Sequence, residues 1–147
     1  MIEGPYGSMT TELRQFPKLL LVAAGIGITP MRALLEDAPY AEGETTLVYR
    51  FDTKADAIFI DEIDEIAQRR GVTLHYIVGS RRADGSWFSM DADHRKTDVQ
   101  LLQEMIPDIA QHDIFVCGPP RWMKMVVKTA LKAGADRKQI HLEDFAW

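Results

Sequence analysis

Two glycine-bearing turns, each set where an apolar run gives way to a helical pattern, constrain this chain more than any other feature. The first lies in Leu19-Leu20-Leu21-Val22-Ala23-Ala24-Gly25-Ile26-Gly27-Ile28-Thr29-Pro30, the second in Ile114-Phe115-Val116-Cys117-Gly118-Pro119-Pro120. A short, unbroken apolar run fits a strand buried on both faces of a parallel sheet. Thr29 is expected to supply an N-cap oxygen, and Pro30 suits the first helical position, where its missing N–H has no intrahelical partner to lose. Glycine at 25 and 27 lets the backbone turn tightly and lets a ligand approach the exposed N–H groups. A helix N-terminus carries a partial positive charge, so such a turn is chemically suited to a diphosphate. A single turn could need glycine for its shape alone; two of them in one small α/β chain favour the ligand reading.

The rest of the chain reads as strands alternating with helices. Strands are expected at Leu19–Ala23, Thr46–Phe51, Val72–Val78, Asp113–Cys117 and Gln139–Glu143. The first helix is expected over Pro30–Asp37. A second has Phe59, Ile63, Ile66 and Ala67 on one face, and a short third carries Val99, Leu102 and Met105. The last is expected over Pro119–Ala133, with Trp122, Met125, Val126, Thr129 and Ala130 buried and Gly134 as its stop. Residues 79–95 read as a polar, glycine-containing loop. This alternation implies a parallel sheet with helices on both faces. Ligands of such sheets sit beyond the carboxyl ends of the strands, at the topological switch point, so the two turns converge there if strands one and four are neighbours.

Composition removes several classes of function. The 147 residues suffice for one domain with a sizeable core. A net charge of -5 with no basic tract argues against a nucleic-acid partner. The single cysteine, Cys117, rules out an internal disulfide and a cysteine-rich metal site. Asp91-Ala92-Asp93-His94 reads as a polar loop, so no metal is expected. No apolar stretch approaches the roughly 20 residues of a membrane span, and Met1-Ile2-Glu3-Gly4-Pro5-Tyr6-Gly7 lacks the pattern of a signal peptide. The expectation is a chain that is not itself inserted in a membrane.

Several motifs together carry a family resemblance. Gly25-Ile26-Gly27-Ile28-Thr29-Pro30 resembles the GxGxTP turn of the ferredoxin–NADP reductase superfamily, Cys117-Gly118-Pro119 resembles its CGP turn, and the aromatic C-terminus fits as well. Glu3-Gly4-Pro5-Tyr6-Gly7 resembles the segment that joins the flavin barrel to the nucleotide domain in the ferric reductase and NADPH oxidase branch. Ala24 stands where the family often has glycine, and the antiparallel FAD-binding barrel is missing. The resemblance therefore implies a ferredoxin reductase-like nucleotide-binding domain: three α/β/α layers around a five-stranded parallel sheet. Residues 1–16 would be the linker remnant of a preceding FAD-binding barrel, and residues 17–147 the NAD(P)H-binding domain.

The implied function is delivery of hydride from NAD(P)H to FAD held by a domain absent from this chain, which would be inactive alone. The implied partners are that FAD-binding domain and a transmembrane haem domain, which would place the chain in the cytoplasmic part of a membrane protein. Two alternatives stand beside this: the reductase component of an oxygenase or flavohaemoglobin, and a dinucleotide-binding module without catalysis.

The resemblance also assigns roles to residues. Gly25, Ile26, Gly27, Thr29 and Pro30 would hold the pyrophosphate. Cys117, Gly118 and Pro119 would lie beside the nicotinamide, the cysteine in a positional rather than nucleophilic role, since nothing near it in sequence lowers its pKa. Ser80, Arg81 and Arg82 match the place where relatives meet the 2′-phosphate of NADP, a task that suits the guanidinium fork. Arg50 is a second candidate for the adenosine end. NADP(H) is thereby favoured over NAD(H), although Asp52 could serve ribose hydroxyls as in an NAD-type site. Phe145 or Trp147 resembles the aromatic that covers the flavin ring and moves aside for nicotinamide. Lys124, Lys128 and Lys132 form a stripe on the last helix that reads as a solvated face, with docking of an acidic electron carrier as the alternative.

Overall fold

A computed structural model describes residues 14–79, 87 and 95–143. Five strands form one sheet: β1 (Lys18–Ala24), β2 (Thr45–Phe51), β3 (Thr73–Val78), β4 (His112–Cys117) and β5 (Ile140–Glu143). Among the described residues four α-helices accompany them: α1 (Ile28–Asp37), α2 (Ile60–Arg70), α3 (Asp98–Met105) and α4 (Pro120–Ala133). The sheet runs in the order β3-β2-β1-β4-β5, and every neighbouring pair is parallel. This is the three-layer, five-stranded architecture expected from the alternation of patterns.

Strand alternation divides the core in two. Leu20, Val22 and Ala24 of β1 face α3 and α4, in one cluster with Val48, Ile114, Val116, Trp122 and Val126. Leu19, Leu21 and Ala23 face the other way, packing with Leu47, Tyr49, Phe115, Met31 and Leu34 on the side of α1 and α2. Both sides of β1 and β4 are therefore apolar, as a central parallel strand requires.

Helix ends follow local chemistry. At α3, Thr97 accepts from the Gln100 amide while the Gln100 side chain returns to the Thr97 N–H, a reciprocal capping box. Gly71, with φ of 69°, stops α2, and Gly134, with φ of 123°, stops α4. Ala38 takes an extended conformation before Pro39 and ends α1.

Three local expectations need correction. α1 starts at Ile28 rather than Pro30, and Gly27 rather than Thr29 holds the N-cap position. A 3₁₀ turn over Gly25–Gly27 runs straight into the helix, so the boundary falls earlier. Phe59 precedes α2 in a left-handed conformation with φ of 63°, although its ring still packs on the α1–α2 side of the core. On α4 the buried stripe is Trp122, Met123, Val126, Thr129, Ala130 and Ala133; Met125 is only partly buried, because the helix is rotated toward its other flank.

The segment that reads as a polar loop also holds a core anchor. Trp87 is fully buried, stands edge-on to the Trp122 ring at 6.2 Å between centroids, and donates its indole N–H to Thr129 Oγ1 at 3.0 Å.

Candidate functional site

β1 and β4 are neighbours, with Ala23 opposite Cys117, so the two glycine turns leave the sheet side by side. From β1 the chain moves one way to β2 and β3; from β4 it moves the other way to β5. The turns therefore sit at the switch point of the sheet, where a crevice opens beyond the strand ends.

The turns also touch. A Cβ built on Gly27 would lie 2.1 Å from the Cys117 carbonyl oxygen, and one on Gly118 would lie 2.4 Å from the Trp122 ring. Neither position has space for a side chain. Gly25 differs: its φ is 57°, and among the described residues no atom beyond its chain neighbours lies within 4 Å of where its Cβ would be. It supplies a left-handed bend and an open approach to backbone N–H groups.

Beside Gly25 lies a pocket of about 320 Å³, lined by Ala24, Gly25, Arg50, Phe51, Asp52, Asp56, Pro119 and Trp122. It joins the carboxyl ends of β1, β2 and β4. Two helices begin at its border, and these two are electrostatically distinct. α1 and α4 have no acidic residue in the first turn and no side-chain cap among the described residues. By contrast α2 has Asp61 and Glu62 in its first turn, and α3 has Asp98 and its capping box. The positive ends that lack an internal counter-charge are thus the two that meet at the switch point.

Arg50 is buried and fixed. It donates from Nε to the Trp87 carbonyl at 3.1 Å, from Nη2 to the Gly79 carbonyl at 2.9 Å, and from Nη1 to Asp52 Oδ1 at 2.9 Å. One guanidinium therefore holds the two backbone points that bracket residues 80–86, while also lining the pocket. Asp52 is about two-thirds exposed at the rim.

The structure brings together Gly25, Ile26, Gly27, Cys117, Gly118, Pro119 and Arg50. Ile26 is 53% exposed, and Thr29 and Pro119 are also exposed, while Pro30 is buried. The Cys117 side chain is fully buried in the α1–α2 side of the core, and its backbone carbonyl is the part that meets the first turn. Ser80, Arg81, Arg82, Phe145 and Trp147 lie outside the described residues, as do Glu3–Gly7 and Asp91–His94. Sequence reasoning missed Phe51, Asp56 and Trp122 as pocket-lining groups. The signal for Trp122 was present in Gly118, four residues earlier, whose missing side chain leaves room for the ring.

The family model described as oxidoreductase NAD-binding domain matches residues 21–128. A flavohemoprotein of Vibrio cholerae is 29% identical over 97% of the chain and 34% of its own length. The glycine betaine monooxygenase reductase subunit of Chromohalobacter salexigens is 27% identical over 99% of the chain and 40% of its length. Among solved structures, flavohemoglobin from Malassezia yamatoensis, described with bound FAD and heme, superposes with a TM-score of 0.68 at 27% identity, covering 94% of this chain and 35% of that one. The chain thus spans between a third and two-fifths of these relatives' length.

Proposed function

Because the chain belongs to the oxidoreductase NAD-binding domain family, within the ferredoxin–NADP reductase superfamily, we propose that it binds NAD(P)H at the switch point and presents it to an FAD held by a preceding domain. The observation that carries this is the pairing of two uncapped, acid-free helix starts with an open glycine at 25. A diphosphate placed there would meet backbone N–H groups and two positive helix ends. Bound nicotinamide supplies the hydride and flavin accepts it.

The chain's own residues bind and orient. Gly27 and Gly118 hold the two turns in contact, Pro119 and Trp122 wall the pocket, and Arg50 steadies its β2 side. No side-chain acid, base or nucleophile is needed, so rate rests on placement. Cys117 acts through position, its carbonyl setting the distance between the turns.

We place the chain in the ferric reductase-like branch on the strength of Glu3-Gly4-Pro5-Tyr6-Gly7. In that setting residues 1–16 link it to the FAD barrel, a transmembrane haem domain receives the electrons, and this domain lies on the cytoplasmic side. No helix among the described residues is long and apolar enough to cross a membrane. Phe145 or Trp147 would shield the flavin until nicotinamide displaces it. The second reading, a reductase serving an oxygenase or a globin, is favoured by the names of the two relatives above.

For the nucleotide, Arg81 with Ser80 and Arg82 favours the 2′-phosphate of NADP. Asp52 and Asp56 at the β2 end of the pocket favour ribose hydroxyls and so NAD. Calorimetric titration with NADPH and NADH separates them. The proposal expects tighter NADPH binding that falls about tenfold or more in Arg81→Ala. NADH binding as tight as NADPH, unchanged by that substitution, would reject the NADP assignment; binding of neither would reject the site.

A further inference from the structure

A second concavity runs along the other flank of α4 from its start at Pro120. Its volume is about 740 Å³, and Met123, Val127 and Leu131 of α4 form its floor opposite Leu142 of β5. These α4 residues recur every fourth position and so share one side of the helix. Leu142 is 44% exposed, a large apolar side chain on the outermost strand of the sheet among the described residues.

The rim of this groove is basic. Lys124 and Lys128 stand one helical turn apart on α4, and Arg137 closes the end near the start of β5. α4 carries no acidic residue along its fourteen positions, in a chain whose net charge is -5. Four surface cations elsewhere are paired with carboxylates: Lys18 with Asp108, Arg32 with Glu62, Arg69 with Glu36 and Glu65, and Lys96 with Glu104. Lys124, Lys128 and Arg137 make no ion pair among the described residues. A solvated lysine face needs no apolar floor, and a solvated apolar face would not concentrate unpaired cations around itself.

We propose that the α4–β5 groove is a docking site for an acidic amphipathic helix of a partner protein. Its apolar side chains would seat between Val127 and Leu142, and its carboxylates would meet Lys124, Lys128 and Arg137. The concave shape favours a helix over a membrane, because a flat surface cannot reach the floor. A nucleic acid would leave the aliphatic floor uncovered. The groove begins at Pro120, next to Pro119 of the nucleotide pocket, so a docked helix would abut that site without occupying it. Docking does not depend on nucleotide binding, so either reading can fail alone.

The test is a fluorescence-anisotropy titration of the whole chain with a labelled peptide of about sixteen residues, long enough to hold a helix. Its leucines are spaced as one stripe and its glutamates as the opposite face; a control of the same composition has the stripe scrambled. The proposal expects the striped peptide to bind at least about tenfold more tightly than the control. Lys124→Glu with Lys128→Glu, and separately Leu142→Asp, should each weaken binding about tenfold while circular dichroism stays unchanged. Equal binding of the scrambled peptide, or insensitivity to these surface substitutions, would overturn it. So would binding to phosphatidylserine vesicles but not to the peptide, or sedimentation showing a dimer that the same substitutions dissolve.

Discussion

Gly25 and Gly27 are two residues apart and answer to different constraints. Gly27 has the Cys117 carbonyl where a side chain would go, so Gly27→Ala must push β1 and β4 apart at the switch point. That overpacking should cost about 2–3 kcal/mol. Gly25 has open space but a left-handed φ of 57°, so Gly25→Ala should cost only about 1 kcal/mol. Its methyl group, however, would stand at the open approach to the backbone. Urea unfolding should therefore single out Gly27→Ala, while nucleotide titration should show Gly25→Ala binding more weakly than its modest instability accounts for. If both variants lose stability equally and Gly25→Ala binds normally, the open glycine has no part in recognition. The identity of these glycines was legible in the sequence because a strand-to-helix turn with two glycines announces itself. What each glycine touches was not, since Cys117 is ninety residues away in sequence from Gly27.

At the scale of elements, the helix starts divide into two kinds. α2 and α3 open with acids, which complement their dipoles; α1 and α4 open without them, at the place where a ligand could supply the negative charge. Thr29, exposed at the second position of α1, tests this directly. Thr29→Glu should stabilise the free chain by about 0.3–1 kcal/mol through the helix dipole and should weaken binding of the dinucleotide through charge repulsion. Opposite signs in thermal unfolding and in titration would identify an anion site; a gain in both would place the diphosphate elsewhere.

Strands and helices were readable to within a residue or two because their apolar periods are strong. The start of α1 was misread for a physical reason. The first N–H groups of a helix have no intrahelical acceptor, so proline is tolerated as the third helical residue as well as the first. Pro30 therefore did not fix the boundary; the 3₁₀ turn through Gly27 did. Trp87 escaped notice because a lone tryptophan in a polar stretch has no period to betray its burial.

For the whole molecule, the sheet order turns two local motifs into one site. The sequence showed that each turn follows a buried strand, but not which strands are neighbours; adjacency of β1 and β4 was a condition, and the order β3-β2-β1-β4-β5 meets it. Long-range pairings of this kind leave no local trace, which is why the convergence of Gly27 on Cys117 needed the structure. The same holds for Arg50, whose position at a strand end suggested a ligand contact. Its guanidinium also holds Gly79, Asp52 and Trp87, bracing the pocket wall and the ends of the segment that contains Arg81.

The central claim is that the dinucleotide binds across the two touching turns. It is tested most directly by titrating the isotope-labelled chain with NADP⁺ and following backbone amide resonances by NMR. The account predicts saturable shifts concentrated at Gly25–Ile28, Gly118 and Arg121, with α2 and the outer flank of α4 unmoved. Shifts that cluster away from both turns, or an amide spectrum unchanged at saturating nucleotide, would contradict it.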